Sequence, residues 1–458
     1  MSYEVSCYNS KVSITNRKII LLGFLLFLLI TAGYAVNRVF IFAAFALIAI
    51  VAFLGSMSDC LIPFVLVVTW GAEIWALGNG RLYTIIRLLS IGCYVVKLWL
   101  NGRIKIRAVS RYTIVLVAFC LYTILGNLAS GNLALDKIIN LAICYLVVFL
   151  VLKNESIDSY SSLSVAFGAG VALSSLLSFI SAYIPSLNSV VRSMMLTYNV
   201  YGTAGLTRMS GMTYDPNLFG FYAYVGIAAN LCLAHRKKYK NCLVNIVLSA
   251  ILSVLGIMTL SKAFFLVFAL LAFVFVLIWT TSARISITKK MLIFLGLALT
   301  IVLVFTYADV YLEAILERFS STGNGGLTTG RSDLWTYYLN YLFDHPLNFL
   351  FGKSLSYSFP NMSSPHNYIV YMLFHYGVVG FLVHFIMLEQ LSKSAVGIGL
   401  FSGIVNKSFG IFQLLPLFCY FIFSLSIDPF MLYDVKMVML SVCFLPLSND
   451  DLLEVCND

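Results

Sequence analysis

Long blocks of apolar residues, repeated along most of the chain, constrain its fold more than any other feature. About 20 apolar residues match the hydrocarbon thickness of a bilayer, and in a bilayer only helices or closed barrels satisfy the backbone. The blocks fall near 19–36, 39–56, 60–77, 82–100, 111–129, 137–152, 162–185, 214–234, 243–260, 263–280, 291–307, 367–388, 409–427 and 430–447. Most are near the length of a helical span. They predict an all-α, polytopic integral membrane protein of about 14 transmembrane helices. Charged residues are 10% of the chain, against about 25% in soluble domains, which excludes a soluble globule. The spans leave loops and tails but no separate soluble domain, so residues 1–458 are expected to form a single polytopic domain. The first block follows Arg17 and Lys18 and ends near Gly33-Tyr34-Ala35, a sequence loosely like a signal-peptidase site. It is long for a signal-peptide core and is read as an uncleaved first span.

The formal net charge is +10, from 29 Lys and Arg against 19 Asp and Glu. With the N-terminus inside, 18 of the 29 fall in cytoplasmic segments, ten lie on the opposite side and Lys436 lies within the last span. Excess Lys and Arg mark cytoplasmic loops, so both termini are expected in the cytoplasm. The basic loops then read as topology signals near anionic lipid rather than a nucleic-acid surface. The ten cysteines form no CxxC pair, which argues against a zinc site or disulfide framework.

Two outer segments are too long to be turns: 186–213 and 308–366. The second is rich in aromatic and apolar residues, including Trp335, Tyr341, Phe349 and Phe351, and is expected to fold as short helices against the membrane surface. These segments also concentrate the candidate chemistry. Residues 208–217 read Arg-Met-Ser-Gly-Met-Thr-Tyr-Asp-Pro-Asn. Asp215 followed by Pro216 predicts an N-cap and a first-turn proline, leaving a helix dipole's positive end near Arg208. Such a place suits a phosphate, though capping beside an interfacial arginine also accounts for it.

The second constellation is Ser363-Ser364-Pro365-His366-Asn367. Ser364 as cap and Pro365 in the first position would put His366 in the first turn of a helix, where the dipole disfavours a cation and leaves a neutral imidazole competent as a base. A helical count of 100° per residue then aligns His366 with Val370, Leu373, Gly377, Gly380 and His384. The two glycines on that stripe would admit another helix or a lipid chain. His375 would point the other way. An interfacial polar residue is the plainer alternative for His366.

Within the membrane, Glu73 and Arg87 reach similar depths on either side of the Asn79-Gly80 turn, which predicts a structural ion pair. Asp434 and Lys436 face different sides of the last span and need separate partners. The chain has no DxD, Walker A, HExxH or GxSxG motif, so nothing indicates a metal, cofactor or soluble nucleotide.

His366-Asn367, nine residues, then Gly377-Val-Val-Gly380 resembles the His-Asn-x9-Gly-x-x-Gly pattern of the O-antigen ligase and polymerase superfamily of bacterial envelopes. Arg208-x-Ser-Gly-x-x-x-Asp-Pro-Asn before a span resembles an earlier block common in the polymerases. The likeness covers roughly residues 190–390. It implies a glycosyltransferase C-type membrane fold with a large periplasmic loop, in the bacterial inner membrane, acting without metal. It also implies donor and acceptor oligosaccharides carried on undecaprenyl pyrophosphate, with a chain-length regulator as a candidate partner. Carried over, His366 becomes the base that activates the acceptor hydroxyl. Arg208 and Arg331 become the pyrophosphate ligands, with Arg318, Lys262, Asp215 and Asn367 as further substrate-binding candidates. Departures exist: Arg208 to Gly220 and Arg318 to Gly330 enclose eleven residues where some polymerases have ten, Ser261-Lys262 stands where relatives often carry Ser-Arg, and no ligase-type Arg-x3-Leu is found in the long loop. The favoured expectation is a polymerase of lipid-linked repeat units. A ligase moving finished polymer to lipid A–core is the alternative, and a transporter of lipid-linked oligosaccharide represents another class.

Overall fold

The computed structural model describes residues 15–71, 82–103, 110–129, 131, 134–194, 202–203, 206–213, 215–235, 242–281, 287, 291, 309–320, 331–355, 357–360, 362–427 and 433–447. Most of them are helical. In chain order the helices are α1 (Asn16–Ala35), α2 (Val39–Leu54), α3 (Ile62–Gly71), α4 (Leu82–Leu100), α5 (Arg111–Ala129), α6 (Leu135–Asn154), α7 (Ile157–Tyr183) and α8 (Pro185–Met194). A two-stranded antiparallel pair follows, β1 (Gly202–Thr203) and β2 (Leu206–Thr207), with Gly202 opposite Thr207. Beyond it lie α9 (Pro216–His235), α10 (Cys242–Met258), α11 (Lys262–Thr281), α12 (Asp309–Ser320), α13 (Arg331–Asp344), α14 (Pro346–Phe351), α15 (Tyr368–Val396), α16 (Leu400–Val405), α17 (Ile411–Ser424) and α18 (Tyr433–Phe444).

Among the described residues, α1, α5, α6, α9 and α15 are long and apolar enough to cross a membrane, and α2, α10 and α17 are shorter apolar helices. The expected span at 291–307 lies almost wholly outside the described residues. On α5 the exposed residues Ile114, Val117, Leu121, Leu125 and Leu128 recur every three or four positions, while Leu116, Phe119 and Thr123 are buried. A helix that shows bulky apolar side chains outward along a whole stripe is stable against lipid and not against water. The chain is a multi-pass helical membrane protein.

Helices α9, α7 and α10 pack on one another, and α3 and α1 also pack on α7. Helix α15 packs on α5 and α6, α17 packs on α9, and α18 packs on α6. Stacked rings at Phe221–Phe423 (5.0 Å) and Phe119–Tyr376 (5.3 Å) mark two of these seams. Glu73 lies outside the described residues. Arg87 does not await it: its Nη1 donates to Asp434 at 2.6 Å and to Asn140 at 3.3 Å. The ion pair therefore joins α4 to α18, 347 residues apart, which loop-depth reasoning could not find.

Helix α15 is broken at Gly377, whose φ of 67° and ψ of −178° end one helical run and start another. A break at membrane depth frees carbonyls that lipid cannot satisfy. Here the backbone N–H of Lys353 donates to Phe374 O at 2.8 Å and the Tyr122 hydroxyl to Tyr376 O at 2.6 Å. Tyr122 is also 2.9 Å from Phe351 O, stapling the end of α14 to the break. A Cβ on Gly377 would sit 2.4 Å from Gly352 N and Leu350 O, and one on Gly380 would sit 2.7 Å from the Tyr122 ring. Both glycines are thus filled by protein. Of the two occupants the sequence allowed for that face, another helix or a lipid chain, it is protein that fills it: the end of α14 meets Gly377 and Tyr122 of α5 meets Gly380.

Segment 352–355 is tied down further. Asn127 Oδ1 accepts from Ser354 Oγ (2.6 Å) and Leu355 N (3.1 Å), and Lys137 Nζ donates to Leu355 O at 2.7 Å. A separate aromatic core of Tyr338, Leu342, Phe359, Val370 and Phe374 joins α13 to the first turns of α15. Within the long segment, the described residues from α13 to Phe359 thereby form a packed cap on the first turns of α15.

Candidate functional site

Three stretches far apart in sequence converge at the ends of α9, α13, α15 and α17. The first is the Arg208–Asn217 block. The β1–β2 pair leads directly to Arg208, Met209 N donates to Met258 O at 2.9 Å, and Arg208 Nε donates to Thr259 O at 2.8 Å. Arg208 is only 8% exposed, and its Nη2 also reaches Asn217 Oδ1 at 3.4 Å. Gly211 follows at φ 57°, where a Cβ would meet the Phe219 ring and Ser174 Oγ. Pro216 opens α9, and the Asp215 carboxylate accepts from Asn217 N (2.6 Å) and Asn217 Nδ2 (2.9 Å). The capping chemistry of Asp-Pro-Asn therefore orients the carboxylate as well as starting the helix.

The second stretch is the turn between α10 and α11. Leu260 has a φ of 49°, and Ser261 Oγ donates to Asn217 Oδ1 at 2.8 Å. Lys262, 8% exposed, lies with its ammonium 6.0 Å from the centre of the Phe319 ring on α12. The third is the entry to α15. That helix starts at Tyr368, and its cap is Asn367, whose Oδ1 accepts from Ile369 N (2.9 Å) and Val370 N (3.1 Å). The expectation of Ser364 as cap and Pro365 in the first turn is corrected. Asn367 is the better cap because its side-chain oxygen reaches two amides while its Nδ2 donates to Leu425 O at 2.9 Å.

His366 consequently stands just before the cap, half-buried, with a φ of 49°. Histidine tolerates this left-handed region better than most residues, and strain of this kind gathers at functional sites. Its approach is fixed by the aromatic cap: Trp335 Nε1 donates to Pro365 O at 2.7 Å and Tyr338 OH to Ser363 O at 3.1 Å. Arg331 begins α13 and donates through Nη1 to Ser426 O, beside the Leu425 carbonyl that Asn367 holds.

Burial pushes the His366 pKa below its ordinary 6.5, the Arg331 guanidinium pushes it the same way, and the Asp215 carboxylate acts against them. Arg331 and Asp215 therefore both act on His366 across the site, and the imidazole is neutral near pH 7. The physical cause is burial and a cation, not the first-turn position that the sequence suggested.

His366, Asn367 and Arg331 thus come together with Asp215, and Arg208 joins them through Asn217. Lys262 neighbours Ser261 but reaches toward α12. The Arg318 side chain lies outside the described residues. Sequence reasoning did not assign roles to Asn217 and Ser261, although both stood in the quoted motifs; their polar side chains at helix starts were the available signal. The Leu425 and Ser426 carbonyls carried none. His375 binds Ser354 O at 2.6 Å, and His384 lies between Tyr145 OH (2.5 Å) and Tyr368 OH (2.9 Å), so neither shares the site of His366.

The site is that of a helical membrane protein whose imidazole, guanidinium and carboxylate groups gather at the helix ends, under a folded cap. Residues 247–385 match the family model described as O-antigen ligase. Over 219 residues the chain is 25% identical to an O-antigen polymerase of Salmonella muenchen, covering 45% of this chain and 50% of that protein. The chain thus spans about half the length of the curated relative it matches. The two matches support the resemblance to the O-antigen polymerase and ligase superfamily that the motifs carry. The segment matching the family model contains Ser261, Lys262, Arg331, His366 and Asn367, whereas Arg208 and Asp215 lie before it.

Proposed function

We propose that the protein is a polymerase that joins oligosaccharide repeat units carried on undecaprenyl pyrophosphate, at the periplasmic face of the inner membrane. The observation that carries this reading is the grouping of a neutral, half-buried His366 with Arg331 and Asp215 beside the Arg208–Asn217 block. Glycosyl transfer from a pyrophosphate donor needs a base at the incoming hydroxyl and positive charge where the leaving group develops negative charge. In this reading the acceptor hydroxyl oxygen attacks the anomeric carbon of the donor sugar and His366 takes the hydroxyl proton. The bond from that carbon to the pyrophosphate oxygen breaks, and undecaprenyl pyrophosphate leaves with the electron pair. Guanidinium groups, Arg331 foremost and Arg208 behind it, meet its charge without a metal. The Asp215 charge favours the imidazolium that forms.

The 14-span count, the glycosyltransferase C-type fold, cytoplasmic termini and a periplasmic 308–366 loop belong to the same proposal. The Lys and Arg distribution supports the orientation. In a Cys-depleted variant carrying Asp344→Cys, an impermeant thiol reagent is expected to label intact spheroplasts; protection there would reverse the topology.

The relative described as a polymerase and the family description as a ligase leave two transfers to separate by experiment. Deleting the gene is expected to leave single repeat units on lipid A–core, because a separate ligase still works. Long polymer accumulating on the lipid carrier with bare core would assign the ligase reaction instead.

A further inference from the structure

Tyr368 and His384 are 16 positions apart on α15, which in an unbroken helix is about 24 Å at 1.5 Å per residue. Their ring centres are 6.0 Å apart, and the Tyr368 hydroxyl lies 2.9 Å from His384 Nδ1. The break at Gly377 therefore turns the chain back on itself. Helix α15 is a V of two arms, a short first arm over residues 368–376 and a longer second arm from 378 onward. On the other side of the imidazole, His384 Nε2 is 2.5 Å from the Tyr145 hydroxyl on α6. One nitrogen of a neutral imidazole donates and the other accepts, and a tyrosine hydroxyl can do either, so both tautomers are satisfied. Tyr145, His384 and Tyr368 are all buried. Lys436 of α18 flanks the row, its ammonium 4.9 Å from the centre of the Tyr145 ring.

We propose that His384 is a positioning residue for His366: the row Tyr145–His384–Tyr368 latches the first arm of α15 and so fixes where its entry presents the His366 imidazole. The statement rests on the reading given under Proposed function. The first arm joins the second through Gly377, the residue type least able to resist backbone rotation. Its far end is held by Asn367 Nδ2 on Leu425 O and by Tyr368 on His384. His366 directly precedes that end and makes the turn into it at a φ of 49°. Arg331 is tied to Ser426 O and Asp215 to Asn217, groups outside the arm. A swing of the arm about Gly377 therefore changes the distances from His366 to the guanidinium and to the carboxylate. Hydroxyls seated at both imidazole nitrogens oppose that swing, because parting them inside the bundle leaves buried polar groups unpaired.

The test uses purified full-length protein in nanodiscs with isotope-labelled histidine. NMR reads the His366 titration, assigned by its loss in His366→Ala, and initial rates of glycan transfer are taken beside it. In the wild type the midpoint is expected below 6.5, because burial and Arg331 outweigh Asp215. Tyr368→Phe removes one oxygen and frees the arm, so His366 loses part of its burial and of the Arg331 influence. The midpoint should rise toward 6.5 and the rate profile should move to higher pH with it. At the pH optimum kcat should fall about tenfold with KM held within about twofold. Tyr145→Phe parts the same row at its other end and should do the same. Links in series do not add, so the double variant should be no worse than either single one. Tyr94→Phe, which takes a buried hydroxyl from Leu150 O (3.4 Å) on α6, should lower stability without moving the midpoint. His366 midpoints unchanged in both row variants, or kcat losses that multiply in the double variant, overturn the proposal and leave the row as packing. Wild-type protein without transfer sinks the polymerase reading instead, while the midpoints, read without substrate, still decide whether His384 places His366.

Discussion

Ser261 donates its hydroxyl hydrogen to the side-chain oxygen of Asn217 at 2.8 Å, joining the α10–α11 turn to the first turn of α9. With that oxygen taken by Ser261 and Arg208, the amide nitrogen of Asn217 is turned onto Asp215. The carboxylate is held by Asn217 twice, through Nδ2 and through the backbone amide, and it is this carboxylate that acts on His366. A hydrogen-bonded chain from Arg208 and Ser261 through Asn217 therefore positions Asp215, whose charge opposes burial and Arg331 at an imidazole on another helix entry.

Arg208→Lys should lose nearly as much transfer as Arg208→Ala. The guanidinium donates through Nε to Thr259 O and through Nη2 to Asn217, in two directions that one ammonium cannot reproduce. Leaving a buried acceptor unpaired costs about 1–3 kcal/mol, so a lower melting temperature should accompany the loss. Wild-type polymer ladders and donor affinity from Arg208→Lys would remove the residue from the mechanism.

His366→Ala should abolish polymer formation, a drop of about 10² to 10⁴ in rate for removal of a base. The protein should remain folded, because the cap of α15 is Asn367 and not His366. His375→Ala removes the contact with Ser354 O instead, so it should be read in stability more than in rate. Comparable ladders from His366→Ala and wild type at equal protein levels would refute the base role.

The pH profile should carry the same arrangement. A base acts in its neutral form, so activity should rise as pH increases through the His366 pKa, with its half-maximum below 6.5, since that pKa lies under its ordinary value. Arg331→Met removes one of the two lowering influences and should move the acid limb to higher pH, while Asp215→Asn removes the raising influence and should move it lower. Initial rates across pH 4.5–8 decide it. Limbs that coincide in all three proteins would detach these residues from His366.

Much of this was legible because it rests on local chemistry. Apolar blocks of bilayer length mark helices wherever they occur, and Asp215-Pro216 starts α9 by propensities that need no tertiary partner. The entry to α15 misled because Ser364-Pro365 and Asn367 are both capping patterns, and the choice turned on the Leu425 carbonyl 58 residues away. The glycine stripe admits protein, as one of its two readings had it, but not a lipid chain, for a related reason. An ideal helical count assumes unbroken dihedrals, and Gly377 supplies a φ of 67° in the middle of it. Nothing in the local sequence of His366 could bring Arg331 or Asp215 to it, since that meeting depends on α9, α13 and α15 ending at one place.

The partner of Arg87 is the least local of these relationships, and it can be tested by exchange. Arg87 and Asp434 meet at 2.6 Å with side chains 18% and 8% exposed, and Asn140 adds a second acceptor on α6. Removing one member of a buried pair strands the other charge and typically costs about 3–5 kcal/mol, whereas replacing both by apolar groups is often neutral. Arg87→Met and Asp434→Leu should each lower the detergent melting temperature and the membrane yield, and the double variant should recover most of both. Lys436, two residues on, lies 4.9 Å from the Tyr145 ring and so packs against α6 without replacing Arg87. Additive losses in the double variant would show that the two residues stabilise the fold independently, and the α4–α18 pairing would then have no energetic role.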